Sequence, residues 1–432
     1  MTTRRHHVAL DNADPLRDLK ALFTLPEGVI YLDGNSLGAL PRTTAGRVQQ
    51  VISREWGQHL IKSWDAAGWI DLPSRIGDKI ARLIGAGDGE VVVADSTSLN
   101  LYKVLAAALG IARTDAPNRK VIVSERSNFP TDLYIAESLA AQYGARLHLV
   151  DSVDEIPSVL NDDLAALMIT QVNYRTGYLH DMAAITAAAH RAGALMIWDL
   201  CHSAGALPVD LNGADADFAV GCGYKYLNGG PGAPAFVWAN SRHASRFWQP
   251  LSGWMGHDAP FQFTPDYKPA PGIKRYACGT PAILGTAALE CGVDTLLAAE
   301  RFGGMSALRE KSVALTEAFI ALAEVRCSDL GVRLVSPRQA EQRGSQVCLS
   351  LAAPWEDAGY AVVQALIARG VIGDFRAGDP SNLLATPHIL RFGITPLYVG
   401  FADVWDAVEH LYQVLSTKEW QEPRFMTKGK VT

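Results

Sequence analysis

The stretch GCGYKYLNGG, residues 221–230, sets Lys225 between Tyr224 and Tyr226 and surrounds the three with glycine. A lysine amine is both a base and a nucleophile that forms an imine with an aldehyde. Upstream, DLCH places Asp199 three residues before His202. A carboxylate that pairs with a protonated pyridine nitrogen lets such a ring accept electrons from an imine-bound substrate. Lysine and carboxylate together meet the demands of pyridoxal phosphate. Singly, Lys225 reads as a surface residue in a glycine-rich turn and Asp199 as a helix cap. Taken with His202 and the apolar runs in front of each, the cofactor reading is favoured. Gly221, Gly223, Gly229 and Gly230 are then expected to let a flat ring approach the backbone closely.

A phosphate also needs a seat. Thr97 and Ser98 stand at an expected helix start, where unpaired N–H groups and hydroxyls gather an anion. The sequence contains neither G-x-x-x-x-G-K-[ST] nor a G-x-G-x-x-G after a strand, so nucleotide cradles are poorly supported. No His/Glu arrangement has metal-ligand spacing.

These groups need elements to position them. Between residues 90 and 240, short apolar runs (EVVV, KVIVSE, RLHLV, LAALMITQV, ALMIWD, ADFAVGC, APAFVWAN) alternate with segments of helical periodicity. Near-continuous apolar strands alternating with helices indicate an α/β fold with a mainly parallel sheet covered on both faces. Ligands of such sheets sit beyond the carboxyl ends of the strands. Asp199 ends one expected strand and Lys225 follows another, so both belong to that rim. After about residue 290 the pattern changes to helices near 282–299 and 305–325, strands near 346–350 and 388–393, and a helix at 402–416. That reads as a smaller α+β C-terminal domain. The expected division is an arm with part of the small domain over 1–60, a large domain over 61–300, the small domain over 301–416 and a polar tail over 417–432.

The chain has 432 residues, 48% hydrophobic and 19% charged, with a net charge of −6. Nothing basic suggests a nucleic-acid partner, and no apolar run reaches the roughly 18 residues of a membrane span. Six cysteines without a C-x-x-C pair argue against a disulfide framework and suit a reducing cytoplasm. No apolar stretch behind MTTRRHHVAL suggests a signal peptide.

YLDGNSLGALP (31–41), NFPTD (128–132), QVNYRTG (171–177), DLCHSAG (199–205), YKYLNGGPG (224–232), GWMGH (253–257) and RFGITPLY (391–398) together resemble the kynureninase family. Their order covers nearly the whole chain. The resemblance implies an aspartate-aminotransferase-like fold, with a seven-stranded-type large domain that binds pyridoxal 5'-phosphate. It implies hydrolysis of L-kynurenine, and of its 3-hydroxy form, to anthranilate or 3-hydroxyanthranilate and L-alanine, within tryptophan degradation or NAD supply. It further implies a cytoplasmic homodimer with composite active sites.

Residue by residue, the resemblance makes Lys225 the imine lysine and Tyr224 the candidate proton donor. Asp199 would hold the pyridine nitrogen with His202 beside it. Phe129 would stack on the ring, within the segment Phe129, Pro130, Thr131 and Asp132, the last near the ring's polar edge. Thr97, Ser98, Thr170, Trp254 and Thr280 would complete the cofactor pocket, the last two from across a dimer interface. Arg391 would clamp the substrate α-carboxylate, and Ser36 and Trp64 would border its aryl end. Threonine at 280 and tryptophan at 64 stand where animal relatives carry asparagine and histidine, which favours plain L-kynurenine. A cysteine desulfurase or aminotransferase on the same scaffold is the nearest alternative, though desulfurases place a histidine where Tyr224 stands. A cofactor-sensing regulator would need a DNA-binding module, and no basic helix-turn-helix stretch is left over.

Overall fold

Seven apolar runs pair into one sheet in the computed structural model, which describes residues 3–243, 245–247, 249–427 and 429. Part of the expected tail, Lys428 and 430–432, lies outside the described residues. The strands are β1 (Val91–Val93), β2 (Val121–Glu125), β3 (Arg146–Val150), β4 (Leu164–Thr170), β5 (Leu195–Asp199), β6 (Phe218–Gly221) and β7 (Phe236–Ala239). Their order in space is β1-β7-β6-β5-β4-β2-β3. The run β3-β2-β4-β5-β6 is parallel throughout. Only β7 runs antiparallel to its neighbours β6 and β1. All seven residues of β4 are buried, as a strand covered on both faces requires.

Helices cross between these strands. The longest of them, Thr97–Asp115, is buried on nearly every side between Asn100 and Ala112, as a helix inside a core is. The helix Pro130–Tyr143 starts on Pro130 and stops at Gly144, whose φ of 64° is left-handed. Asp181 caps the helix Met182–Arg191 by accepting from the Ala184 N–H at 3.0 Å.

These elements belong to the larger of two compact units, residues 43–173 and 180–294. Residues 43–60, grouped with the arm in the sequence reading, fall in this unit. Buried Glu55 shows why: it accepts from Arg47 at 2.7 Å and Trp69 Nε1 at 2.8 Å, while its carbonyl accepts from Ser63 Oγ at 2.6 Å.

The smaller unit comprises residues 1–42, 174–179 and 295–432. Its sheet is β8 (Val332–Leu334), β9 (Gln346–Leu351), β10 (Asp374–Arg376) and β11 (Ile389–Gly393), in the order β8-β9-β11-β10 and antiparallel throughout. Helices Gly304–Cys327, Gly359–Ala368 and Phe401–Ser416 accompany it. Asp11 of the N-terminal helix accepts from the backbone N–H groups of Phe401 and Ala402 at 2.6 and 2.9 Å, so the arm caps the last long helix. No helix among the described residues is long and apolar enough to cross a membrane.

Candidate active site

Four strand ends of the larger unit bring the expected residues together. Thr170 ends β4 and pairs directly with Asp199 at the end of β5. Lys225 follows β6, and Phe129 opens the helix after β2. Lys225 Nζ lies 2.9 Å from His202 Nε2, 5.9 Å from the Phe129 ring centre and 5.7 Å from that of Tyr224. Asp199 accepts from the Cys201 N–H at 2.7 Å and from Thr170 Oγ1 at 3.4 Å. The one Thr170 hydroxyl proton is shared with Asn128 Oδ1, its nearer acceptor, and that amide oxygen accepts from the Phe129 N–H at 2.7 Å. Asn128 thereby fixes where the Phe129 backbone sits.

Two acids share this space. Asp132 and Asp199 are each 3% exposed. Burial first, and then the charge and hydrogen bond of Asp199, hold the Asp132 carboxyl well above the usual range. A buried carboxyl beside a second one keeps its proton. Burial likewise pushes Tyr224 up to about 12, against the nearby Lys225 charge. Its phenol is therefore a proton donor at neutral pH rather than a base.

The arrangement fits the expected cofactor. Asp132 Oδ2 is buried with no hydrogen-bond partner among the described residues, a costly state for an acceptor that has nothing to meet. Phe129 is 43% exposed, a flat apolar face beside a lysine amine. Ser96 caps the helix Thr97–Asp115, accepting from the Leu99 N–H at 3.4 Å, so Thr97 and Ser98 form its first turn. Thr97 Oγ1 lies 3.6 Å from Cys201 Sγ, which ties this turn to the residue after Leu200. Pro130 and Thr131 belong to the first turn of the Phe129 helix.

The glycines have a different reason from the one expected. A Cβ at Gly221 would meet the Phe236 ring at 2.4 Å, and one at Gly223 the Pro234 carbonyl oxygen at 2.3 Å. At Gly229 it would meet the Gly223 oxygen and a Leu289 methyl, both at 2.7 Å. Small residues here admit neighbouring protein, not a ring. Gly230 has open space and a φ of 85°, so it serves the turn.

The remaining expected residues fall in other clusters. Trp64 and Trp254 meet edge to face at 6.3 Å, and Trp254 also contacts Phe261 and Phe263 at 5.5 and 6.2 Å. Thr280 lines a cavity of about 230 Å³ with Asp95, Met255, Pro234 and Cys278. In the smaller unit, Arg391 is 1% exposed. It donates through Nε to Asp374 Oδ1 at 2.8 Å, through Nη1 to the Tyr174 carbonyl at 2.8 Å, and through Nη2 to Asp374 Oδ2 and, at 2.8 Å, to Ser36 Oγ. Ser36 Oγ in turn donates to Asp374 Oδ2 at 2.7 Å. The Ser36 hydroxyl thus sits with the arginine, an arrangement its expected place at the aryl end did not include. Burial works against the Arg391 charge, but Asp374 overrides it and raises the guanidinium above its ordinary value.

Sequence reasoning missed Asn128, Cys201, Cys222, Asp374 and Arg376. Asn128 lay inside the quoted NFPTD, and the cysteines lie two and three residues from Asp199 and Lys225. Asp374 gave no local signal, because it meets Arg391 only through strand register.

Comparison with known proteins gives three results. Residues 308–411 match the model of the kynureninase C-terminal domain. A kynureninase from Burkholderia pseudomallei (strain K96243) is 56% identical over 434 residues, spanning 100% of both chains. Among solved structures, an apo cysteine desulfurase from Thermococcus onnurineus NA1 superposes with a TM-score of 0.75 at 20% identity, covering 93% of this chain and 98% of its own. A C-DES variant with glycine covalently linked to its PLP cofactor superposes with a TM-score of 0.75 at 15% identity, over 95% and 99%. At those identities the superpositions establish the shared fold alone.

Proposed function

The chain belongs to the kynureninase family, and from that premise we propose how its residues hydrolyse L-kynurenine to anthranilate and L-alanine. The observation that carries the reading is Lys225 Nζ, bonded to His202, 5.9 and 5.7 Å from the Phe129 and Tyr224 ring centres and close to a buried pair of acids. Pyridoxal phosphate, when bound, supplies an electron sink for the pair left at the substrate α-carbon. Lys225 would hold it, Asp199 would face its pyridine nitrogen, Phe129 its ring, and Thr97 and Ser98 its phosphate.

Once the substrate amine has displaced it, the freed Lys225 Nζ removes the proton from Cα and returns one there before alanine leaves. Water adds to the side-chain carbonyl, and the Cβ–Cγ bond breaks as Tyr224 gives its proton towards Cβ. Acid–base help of this kind is worth about 10²–10⁴-fold. Arg391 holds the α-carboxylate through the end of its guanidinium that Asp374 leaves open. Trp64, packed on Trp254, offers an apolar edge to the aryl ring, which with Thr280 favours plain L-kynurenine over its 3-hydroxy form.

A homodimer fits this reading. Ile52, Trp56, Leu60 and Ile61 are 39%, 58%, 60% and 76% exposed, a run of large apolar side chains of the kind that marks a contact surface. Six cysteines without a disulfide suit the cytoplasm. A desulfurase would need an exposed reactive thiol, but five of the six are buried. Burial pushes Cys327 up to about 12 and Cys348 up to about 11.

The test mixes purified protein, pyridoxal phosphate and L-kynurenine, and expects anthranilate with stoichiometric alanine. Borohydride reduction and peptide mapping should place the cofactor on Lys225, and Lys225→Ala should abolish turnover. Sulfide from cysteine, or a requirement for a keto-acid acceptor, would reject the assignment.

A further inference from the structure

We propose that Arg376 is a second cation of the substrate-carboxylate site, supplying the net positive charge that Asp374 takes away from Arg391. The inference deepens the reading of Arg391 as the carboxylate clamp and rests on it. Arg391 has little left to give. Its Nε and Nη2 are spent side-on on both oxygens of Asp374, Nη2 also serves Ser36 Oγ, and Nη1 serves the Tyr174 carbonyl. One Nη1 hydrogen remains uncommitted among the described residues. The side-on edge, through which a guanidinium grips a carboxylate most strongly, is therefore closed, and a ligand must approach the Nη1/Nη2 end beside Ser36.

Charge gives the same result. Arg391 and Asp374, side chains both 2% exposed, cancel as a buried pair, so an arriving anion gains little from Arg391 until it is in contact. Arg376 restores the balance. It lies two residues from Asp374 on β10, its Nη2 is 2.8 Å from Asp374 Oδ2 and 3.5 Å from Ser36 Oγ, and its side chain is 33% exposed. The two guanidinium groups thus converge on the same carboxylate oxygen and the same hydroxyl, one buried and one open. Burial and the neighbouring Arg391 charge lower Arg376 from its ordinary value. Crowding of two like charges is relieved by one more anion. Two guanidinium charges less the Asp374 carboxylate leave one positive charge. Asp33, the other acid of the cluster, is raised to about 7 by burial and the Asp374 charge, so at neutral pH it offsets only about half of that positive charge and the cluster stays positive. The groups facing Asp33 are Asp374, Arg391, Arg376 and Ser36, with the Tyr31 and Tyr398 hydroxyls.

Steady-state kinetics on L-kynurenine at two salt concentrations tests this, with the holoenzyme as wild type, Arg376→Gln, Arg376→Lys and Arg391→Lys. Arg376→Gln should raise KM about tenfold, the worth of one charge-assisted hydrogen bond, with kcat within about twofold. It should also flatten the rise of KM with salt, and Arg376→Lys should recover most of both effects. A merely structural arginine would move kcat or the yield of folded protein without the salt response. Arg391→Lys raising KM while Arg376→Gln leaves it within about twofold of wild type would overturn the inference and keep the clamp. Arg391→Lys leaving KM unchanged would remove the clamp and the inference together. If Arg376→Gln does not fold, Arg376→Lys decides, because a point charge that keeps KM near wild type supports the role and a tenfold loss with no salt response rejects it.

Discussion

Two carboxyl groups lie near Lys225, and their surroundings are unequal. Both are buried, but Asp199 has donors, the Cys201 N–H and Thr170 Oγ1, whereas Asp132 Oδ2 has no hydrogen-bond partner among the described residues, and burial with the Asp199 charge raises Asp132. Asp132 keeps its proton. An amide is close in shape and charge to a protonated acid, so Asp132→Asn should keep cofactor affinity within about threefold. Asp199→Asn removes the group expected to face the pyridine nitrogen. The loss of a charged hydrogen bond, about 1.5–3 kcal/mol, should weaken cofactor retention about 10- to 100-fold. Equilibrium dialysis against pyridoxal phosphate reads both, and equal losses in the two variants would show that the acids are not divided in this way. Wild-type anthranilate release by Tyr224→Phe would similarly dismiss the phenol as donor. These roles are carried by single atoms, and side-chain type alone conveyed them.

Elements hold such atoms in place from the opposite end of the sheet as well. Asp217, immediately before β6, is 1% exposed and accepts from the Met196 N–H at 2.7 Å, His190 at 2.8 Å, His243 at 2.7 Å and Arg242 at 2.6 Å. Burial opposes its charge, but these donors overrule it and hold the carboxyl well below the usual range. The Asp217 bond raises His190. A lowered acid stabilises fully above its unfolded pKa, near 4, and less as pH falls below that. A raised histidine stabilises fully below about 6.5 and loses its share as pH rises through its native value. Asp217→Asn should therefore cost about 3–5 kcal/mol between those limits. The gap in urea midpoint should narrow below about pH 4 and again at high pH; a gap independent of pH would show that packing, not charge, anchors β6. The element scale is also where the sequence was most and least informative. Strand ends carrying Thr170, Asp199 and Lys225 were legible because each follows an apolar run. The Asp374–Arg391 pair was not, since it arises from cross-strand register, which no local rule specifies. The glycines around Lys225 were noticed but misread, because a missing Cβ does not say which neighbour needs the space.

At the scale of the molecule, the unexplained feature is apolar surface on the segment 51–66 of the larger unit. Ile52, Trp56, Leu60 and Ile61 are exposed, and Leu60 holds a left-handed φ of 53°, a conformation that costs a leucine about 1–3 kcal/mol. Trp64 follows this run and touches Trp254, whose neighbours Phe261 and Phe263 are 52% and 74% exposed. An ordinary stable interface takes about 800 Å² from each partner, with aromatic side chains at its centre, and this surface has that character. If a second copy covers it, the residues expected to reach a partner's cofactor, Trp254 among them, lie beside the contact. The double variant Trp56→Glu, Ile61→Glu places two carboxylates where burial would desolvate them. Sedimentation should show the wild type at twice the 46.6 kDa chain mass and the variant at the single-chain mass. Both side chains are exposed in the chain, so the variant should keep its fold by circular dichroism while it loses cofactor affinity and anthranilate production. A variant that sediments as the wild type does would exclude this face from the interface. A wild type that is monomeric and fully active would remove the composite site altogether.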